Sequence, residues 1–447
     1  MVRHVDSSLP RQHSWVGREA LSILLVALVL RLAFVVAFDT PADANRGLWE
    51  WGYEAGSIAR SITEGQGFAN TWTRDVEPWS SGSGPTGWLV PVYPGLLALL
   101  LEWTGGLTRS TAWMLFAIQS ILSSFTCVLV WGLGNRLGAA RAGRIAAWVL
   151  ALHPMAIWHA SSTVWDTTLA AFAFTLVLTR LAACQRARGP RVWTWFGLLF
   201  GGALLVNPAP LVLVPVVAWV AWRARPALAH WIGAMAPFAL AAGAVVLPWM
   251  VRNAEEVGPF SLRTNLGVEL DVGNFDGADG RYARDRHPSH SAEEFRRYRE
   301  LGEERYAAWA MDRATTWILE NPARFLLLSL RRMAAWWIGE DPWTDPRTDR
   351  GLAARDDPKA FAKWILHFAV GAMALVGAFL WARTSAGPRP YLLTLFLVPP
   401  VYCVTHVLER YRWPIEPLLI LCAAWLVARW FPQLGARADA RENPQSG

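Results

Sequence analysis

Glu50 and Glu54 stand four residues apart in WEWGYEAGSIARSITEGQGF (49–68), directly after the first long hydrophobic run. Positions i and i+4 of a helix share a face, so Glu50, Glu54, Ile58 and Ile62 form one stripe. Arg60 and Glu64 fall in a separate solvated pair, and Gly65 and Gly67 supply the C-terminal stop. A surface helix keeps acids off its apolar stripe, yet two acids are on this one. A carboxyl in apolar surroundings holds its proton more tightly, and a second acid beside it adds to that effect. Such a group is suited to act as a general base near neutral pH.

Other groups can join it. His153, His159 and Asp166 flank the turn between the third and fourth hydrophobic runs. HVLERYRWPIEP (406–417) places Arg410 and Arg412 at a turn, and Arg31 lies inside the first run. Guanidinium groups bind phosphate oxygens through paired hydrogen bonds, which makes Arg410, Arg412 and Arg31 candidate phosphate ligands. Asp271 and Asn274, in GVELDVGNFDGADG (267–280), and Tyr93 are candidate substrate-loop residues. Each group also has a plainer reading. Arg31 can snorkel to the interface, Asp166 can serve the dipole of the helix it opens, and His153 can be a packed histidine. GNFDGADG has the composition of a calcium loop without its spacing or terminal glutamate, so it equally reads as a turn.

The elements that must position these groups are hydrophobic runs near 19–38, 111–133, 143–160, 163–182, 193–206, 209–222, 230–250, 361–382, 390–408 and 413–431. A bilayer core is about 30 Å thick. Two of the runs are short and hinge at Asn207-Pro-Ala-Pro210, as a tight helical hairpin does. VPVYPGLLALLLEWTGG (90–106) is ambiguous, with Pro91, Pro94 and Glu102 inside it. Arginine-bearing connections occur at 136–144, 185–191, 223–225 and 383–389, and the N-terminal tail carries Arg3, Arg11 and Arg18. All fall on one side only if 90–106 does not span. The reading is therefore an all-α polytopic transmembrane bundle of about ten spans with 90–106 re-entrant or juxtamembrane. Both ends are then cytoplasmic in a cell (inner) membrane, with the candidate residues on the external face.

This divides the chain into an N-terminal transmembrane catalytic module (1–250) with an external loop at 39–89, and a large external loop (251–360). C-terminal transmembrane helices (361–431) and a polar, disordered cytoplasmic tail (432–447) follow. Ser291-Ala-Glu-Glu294 opens a helix in the large loop with a capping-box pattern. Asn321-Pro322 breaks it, and FLLLSLRRMAAWWIG (325–339) follows as an interfacial helix with Trp336 and Trp337 at headgroup level. No internal repeat or pair of broken helices of the inverted-repeat transporter kind is evident.

Composition agrees. Of 447 residues 53% are hydrophobic and only 17% charged, which is membrane-protein composition. The net charge of +7 comes from arginines scattered between hydrophobic runs, with Lys359 and Lys363 the only lysines, so no nucleic-acid groove is implied. Cys127, Cys184, Cys403 and Cys422 lack metal-ligand spacing and read as small buried hydrophobes.

A first span, then "IARSITEGQGF", "PTGWLVPVYPGLLALLLEWTG" (85–105), "NRLGAARAGRIAAWVLALHP" (135–154), "TVWDTTLAAF" (163–172) and "RYRWPIEPLL" (410–419) together resemble the polytopic GT-C glycosyltransferases. The resemblance is nearest to family 39, the branch of the protein mannosyltransferases and bacterial aminoarabinose transferases, and covers most of the chain. It implies transfer of a sugar from a polyprenyl-phosphate donor to a hydroxyl of a protein, lipid or glycan acceptor. No cofactor is implied with certainty; a divalent cation can assist. The resemblance also implies an acidic base in the first outer loop. Its register puts Glu50 nearest the usual aspartate and Glu54 a turn later, and neither aligns without a one-residue shift. Asp166 matches a second acid, and Arg410 and Arg412 match a basic patch for the lipid phosphate. The alternative is a transporter or lipid-linked-sugar flippase, which would place charges near the bilayer midplane.

Overall fold

The structure, a computed structural model, describes residues 12–44, 51–72, 83–185, 189–224, 226–339 and 358–431. Glu50, Arg3, Arg11 and the tail from 432 lie outside the described residues. Among the described residues the chain is helical, with one isolated β-bridge between Ala69 and Pro85.

The N-terminal half comprises α1 (Gln12–Phe38), α2 (Thr40–Ala44), α3 (Glu54–Thr63), α4 (Val92–Thr104), α5 (Arg109–Arg136), α6 (Ala140–Leu152), α7 (Pro154–Ser162), α8 (Thr167–Cys184), α9 (Pro190–Val206), α10 (Val214–Ala224) and α11 (Leu228–Glu256). Then come α12 (Leu266–Gly273), α13 (Ala292–Leu301), α14 (Glu303–Glu320) and α15 (Pro322–Ile338). The chain closes with α16 (Pro358–Thr384), α17 (Arg389–Leu392), α18 (Thr394–Cys403), a 3-10 segment Glu409–Ile415, and α19 (Glu416–Trp430).

Six segments among the described residues are long and apolar enough to cross a membrane: Gly17–Phe38, α5, α8, α11, α16 and Glu409–Trp430. The remaining runs are shorter helices or are broken. The run at 143–160 divides at His153-Pro154, because proline lacks the N–H that would continue α6 and instead takes the first position of α7. The 209–222 run opens as a 3-10 turn at Ala209–Leu213. α4 has 13 residues, about 20 Å of helix, less than a bilayer core.

Small residues set the closest helix contacts. A Cβ on Gly134 of α5 would lie 2.5 Å from Gly143 Cα of α6. On α9, Cβ atoms at Gly197 and Gly201 would lie 2.3 and 2.8 Å from the carbonyl oxygens of Phe238 and Ala242 on α11. The arginine-bearing connections also gather. Arg144 pairs with Glu19 at 3.2 Å, and Arg141 donates to the Phe431 carbonyl beyond α19. Arg223 at the end of α10 donates to the Ala386 carbonyl. The four cysteines are buried and form no disulfide.

A second hydrophobic cluster joins Tyr53, Trp72 and Trp88 to Phe295, Tyr298 and Tyr306, while Trp336 packs in the main core. Ser291 caps α13 by accepting from Glu294 N at 3.4 Å, whereas the Glu294 side chain turns to Tyr306 Oη and Arg297. Asn321-Pro322 separates α14 from α15. α15 exposes Leu326, Leu327 and Leu330 and buries Leu328, Arg332 and Trp336. Trp336 is thus not at the surface; it stacks on Tyr402 at 5.3 Å. Glu303, 6% exposed, accepts from Thr86 Oγ1 (2.6 Å), Gly87 N (2.7 Å), Tyr298 Oη (2.5 Å) and Thr264 Oγ1.

Candidate active site

α3 begins at Glu54, because the two residues before it are left-handed. Gly52 has φ +75° and Tyr53 φ +50°. A Cβ on Gly52 would sit 2.2 Å from the Val164 carbonyl oxygen, so only glycine allows the chain to press against the 163–165 segment. Tyr53 is fixed in its strained conformation by its hydroxyl, which donates to Ser289 O at 2.7 Å. The expected stripe through Glu50 lies outside the described residues; from Glu54 onward α3 carries Glu54, Ile58 and Ile62.

Glu54 opens onto two cavities. One, of about 660 Å³, is polar and aromatic; its lining includes His153, His159, Lys363, Arg412 and Trp413. The other, of about 1000 Å³, is mainly apolar, walled by Phe200 and Leu204 of α9, Met235, Phe238 and Gly243 of α11, and Val398 and Val401 of α18. Six residues line both: Glu54, Trp165, Thr167, Glu269, Arg410 and Tyr411. They form the junction.

The junction holds charges with little local compensation. Glu54 accepts no hydrogen bond from any described residue, and burial pushes its carboxyl up to about 7. Arg410 opposes that rise, while Glu269 and Asp166 add to it. Among the described residues Arg410 is in no ion pair; its guanidinium lies 3.8 Å from the centroid of Trp165. Arg263 lines the apolar cavity beside the junction and donates through Nε to Trp88 O at 2.8 Å. Glu269 accepts from Asn265 Nδ2 at 2.7 Å and lies 3.6 Å from His406 Nδ1. His406 in turn meets Tyr411 Oη at 3.0 Å.

Of the residues singled out from sequence, Glu54 and Arg410 meet at the junction, and Asp166 and Tyr93 line the apolar cavity. Asp166 accepts from Asn207 Nδ2 at 2.8 Å, and Tyr93 Oη lies 3.4 Å from Gln119 Oε1. Arg412 lines the polar cavity, but its guanidinium is held by Glu416 (2.8 and 2.9 Å) and by the carbonyls of Trp336, Trp337 and His367. Three lie apart from both cavities. Arg31 bonds Ser123 Oγ (2.8 Å) and the carbonyls of Ala27, Leu150 and Ala151. Asp271 pairs with Arg313 and, at 2.8 Å, with Arg286. Asn274 bonds Arg332, Leu270 O and Val404 O.

Sequence reading passed over Glu269, Arg263, Tyr411 and His406. Glu269 is two residues from Asp271 on α12, so the two acids point to different faces. Only the neighbour of each face decides which acid reaches the cavity. Arg263 carries the same signal as Arg410, a basic residue on the side away from the other arginine clusters. As for the divalent cation, no group of three or more His, Cys, Asp or Glu side chains among the described residues is arranged to hold a metal. No metal site is assigned to them.

No protein-family model matches the sequence, and no curated protein matches it. Solved structures do. The archaeal oligosaccharyltransferase AglB from Archaeoglobus fulgidus, in complex with an inhibitory peptide and a dolichol-phosphate, superposes with a TM-score of 0.53 at 13% identity, covering 98% of this chain and 52% of that one. The same oligosaccharyltransferase in complex with Zn and sulfate gives 0.53 at 15% identity, covering 94% and 50%. ArnT from Cupriavidus metallidurans bound to undecaprenyl phosphate gives 0.37 at 14% identity, covering 95% and 80%. The chain thus shares the fold of part of that oligosaccharyltransferase. The chain spans about half the length of the oligosaccharyltransferase it matches.

Proposed function

We propose that this protein is a membrane glycosyltransferase that moves a sugar from a polyprenyl-phosphate donor to an acceptor hydroxyl on a protein, lipid or glycan. The observation that carries the reading is the junction itself: a polar and an apolar cavity share Glu54 and Arg410, a carboxyl and a guanidinium with no ion-pair partner among the described residues. The prenyl chain lies in the apolar cavity, where removing its hydrocarbon from water is favourable. Its phosphate then reaches the junction, within range of Arg410 and Arg263. The sugar projects into the polar cavity.

In the reaction, Glu54 accepts the proton of the acceptor hydroxyl as the oxygen bonds to the anomeric carbon. The bond from that carbon to the phosphate oxygen breaks, and the electron pair leaves with the prenyl phosphate. Arg410 meets the charge that develops there. Displacement from the face opposite the phosphate inverts the anomeric centre. Glu269, Tyr411 and His406 hold the far wall of the junction. The site faces the exterior of the cell membrane, with both termini cytoplasmic, as the gathering of the arginine connections at one end of the bundle supports.

The test is donor consumption in lipid vesicles containing the full chain and a defined polyprenyl-phosphate sugar. Release of free prenyl phosphate, lost in Glu54→Gln, is expected. A flippase would move the donor across the bilayer chemically intact, and that outcome would replace this reading.

A further inference from the structure

The end of the polar cavity lined by His153, His159 and Trp413, none of which lines the apolar cavity, contains polar atoms with no partner among the described residues. His153 and His159 are 5% and 7% exposed. Both ring nitrogens of His153 and Nδ1 of His159 make no hydrogen bond. Leaving such groups buried and unsatisfied is unfavourable, and here both residues line a cavity. Their rings lie 5.6 and 4.8 Å from that of Trp413, which lines the same wall. The arrangement is built into the backbone. His153 is the extended residue between α6 and α7, and Pro154 starts the next helix, so the imidazole stands at a helix break.

The two carboxylates nearest Trp413 in the chain are already matched. Glu416 is occupied by Arg412, and Glu409 by Lys363. An imidazole without its charge offers one donor and one acceptor. Two such rings beside an indole face match a ligand that has an apolar face and hydroxyls around its edge. They do not match an ammonium group, which has three donors and needs a carboxylate; the one carboxyl of this cavity without a partner among the described residues, Glu54, belongs to the junction.

We propose that this end of the polar cavity is the subsite for the donor's sugar, and that it selects a neutral hydroxylated pyranose. One face of the ring lies against Trp413, and its hydroxyls bond His153 and His159. The inference rests on the reading of the chain as a prenyl-phosphate-dependent transferase, because it is the prenyl phosphate at the junction that delivers the sugar into this space.

The test is equilibrium binding to the full chain in lipid nanodiscs. The probes are a short-chain polyprenyl phosphate, the same lipid phosphate carrying glucose, mannose or galactose, and the same carrying an amino sugar. Wild type is expected to bind at least one neutral-hexose donor tighter than the bare lipid phosphate, and the amino-sugar donor no tighter. His153→Ala and His159→Ala should each remove about 5-fold of that gain while bare lipid phosphate binds as before. Trp413→Phe should keep most of the gain, and Trp413→Ala should lose it. An amino sugar that gains as much as a neutral one, or no gain from any hexose, overturns the subsite on the wild-type protein alone, whether or not the variants fold. Failure of the bare lipid phosphate to bind overturns the transferase reading, and this inference with it.

Discussion

Asp271 and Glu54 are both carboxylates withdrawn from water, and their surroundings are opposite. Asp271 is 1% exposed and pinned between Arg313 and Arg286. Glu54 accepts from no described residue, and its carboxyl is pushed up to about 7. The same contrast recurs two residues apart in Arg412, paired with Glu416, and Arg410, unpaired above Trp165. Burial therefore does not by itself mark a working group. A buried charge whose partners are complete is architecture, whereas one whose partners are missing waits for a substrate.

The contrast is sharpest between the acids. Glu54→Gln should lower turnover by about 10²–10⁴-fold with no loss of stability, measured by prenyl-phosphate release. Asp271→Asn should keep turnover per folded molecule and lower stability. If Asp271→Asn were the variant that loses turnover, the distinction between the two acids would collapse. For the arginines, Arg412→Gln leaves Glu416 buried and alone, a cost of about 3–5 kcal/mol, to be read as a fall in thermal stability. Arg410→Lys should fold normally and bind the lipid phosphate about tenfold more weakly, because an ammonium lacks the bidentate fork. A lysine variant with unchanged donor affinity would make Arg410 another structural arginine.

Smaller effects probe the apolar cavity and the pH dependence. Gly243 lines that cavity with open space around it, so Gly243→Phe should fill the cavity without strain. Affinity for a long-chain lipid phosphate should drop more than for a short-chain one, and equal losses would place the prenyl chain elsewhere. Glu54 binds a proton in the folded protein at a pH where the unfolded chain, with the ordinary value of 4.5, has released it. Stability therefore falls as pH rises from 4.5 to about 7, the folded value. Glu54→Gln lacks this penalty, so its melting temperature should exceed that of wild type at pH 8 and match it at pH 4. The wild-type rate should fall as pH drops through about 7, since the protonated acid cannot act as base.

Much of the bundle was legible because a membrane-crossing helix writes itself as a long apolar run and arginines mark its ends. Local breaks were less legible. His153-Pro154 announces a break, but the left-handed turn at Gly52-Tyr53 depends on contact with Val164, far away in sequence. Arg410 and Arg412 were equivalent on paper, and a 3-10 turn at Glu409–Ile415 sends one to Glu416 and the other to the junction. Glu269 was hidden beside the more conspicuous Asp271.

Glu303 has a consequence for how such a protein can be recombined. Its four donors come from three separate stretches of chain: Thr86 and Gly87, Thr264, and Tyr298. A chimera that imports residues 251–339 from another protein without residues 83–90 strands an acid among foreign neighbours. The two segments form a single heritable cassette, and grafting must move them together.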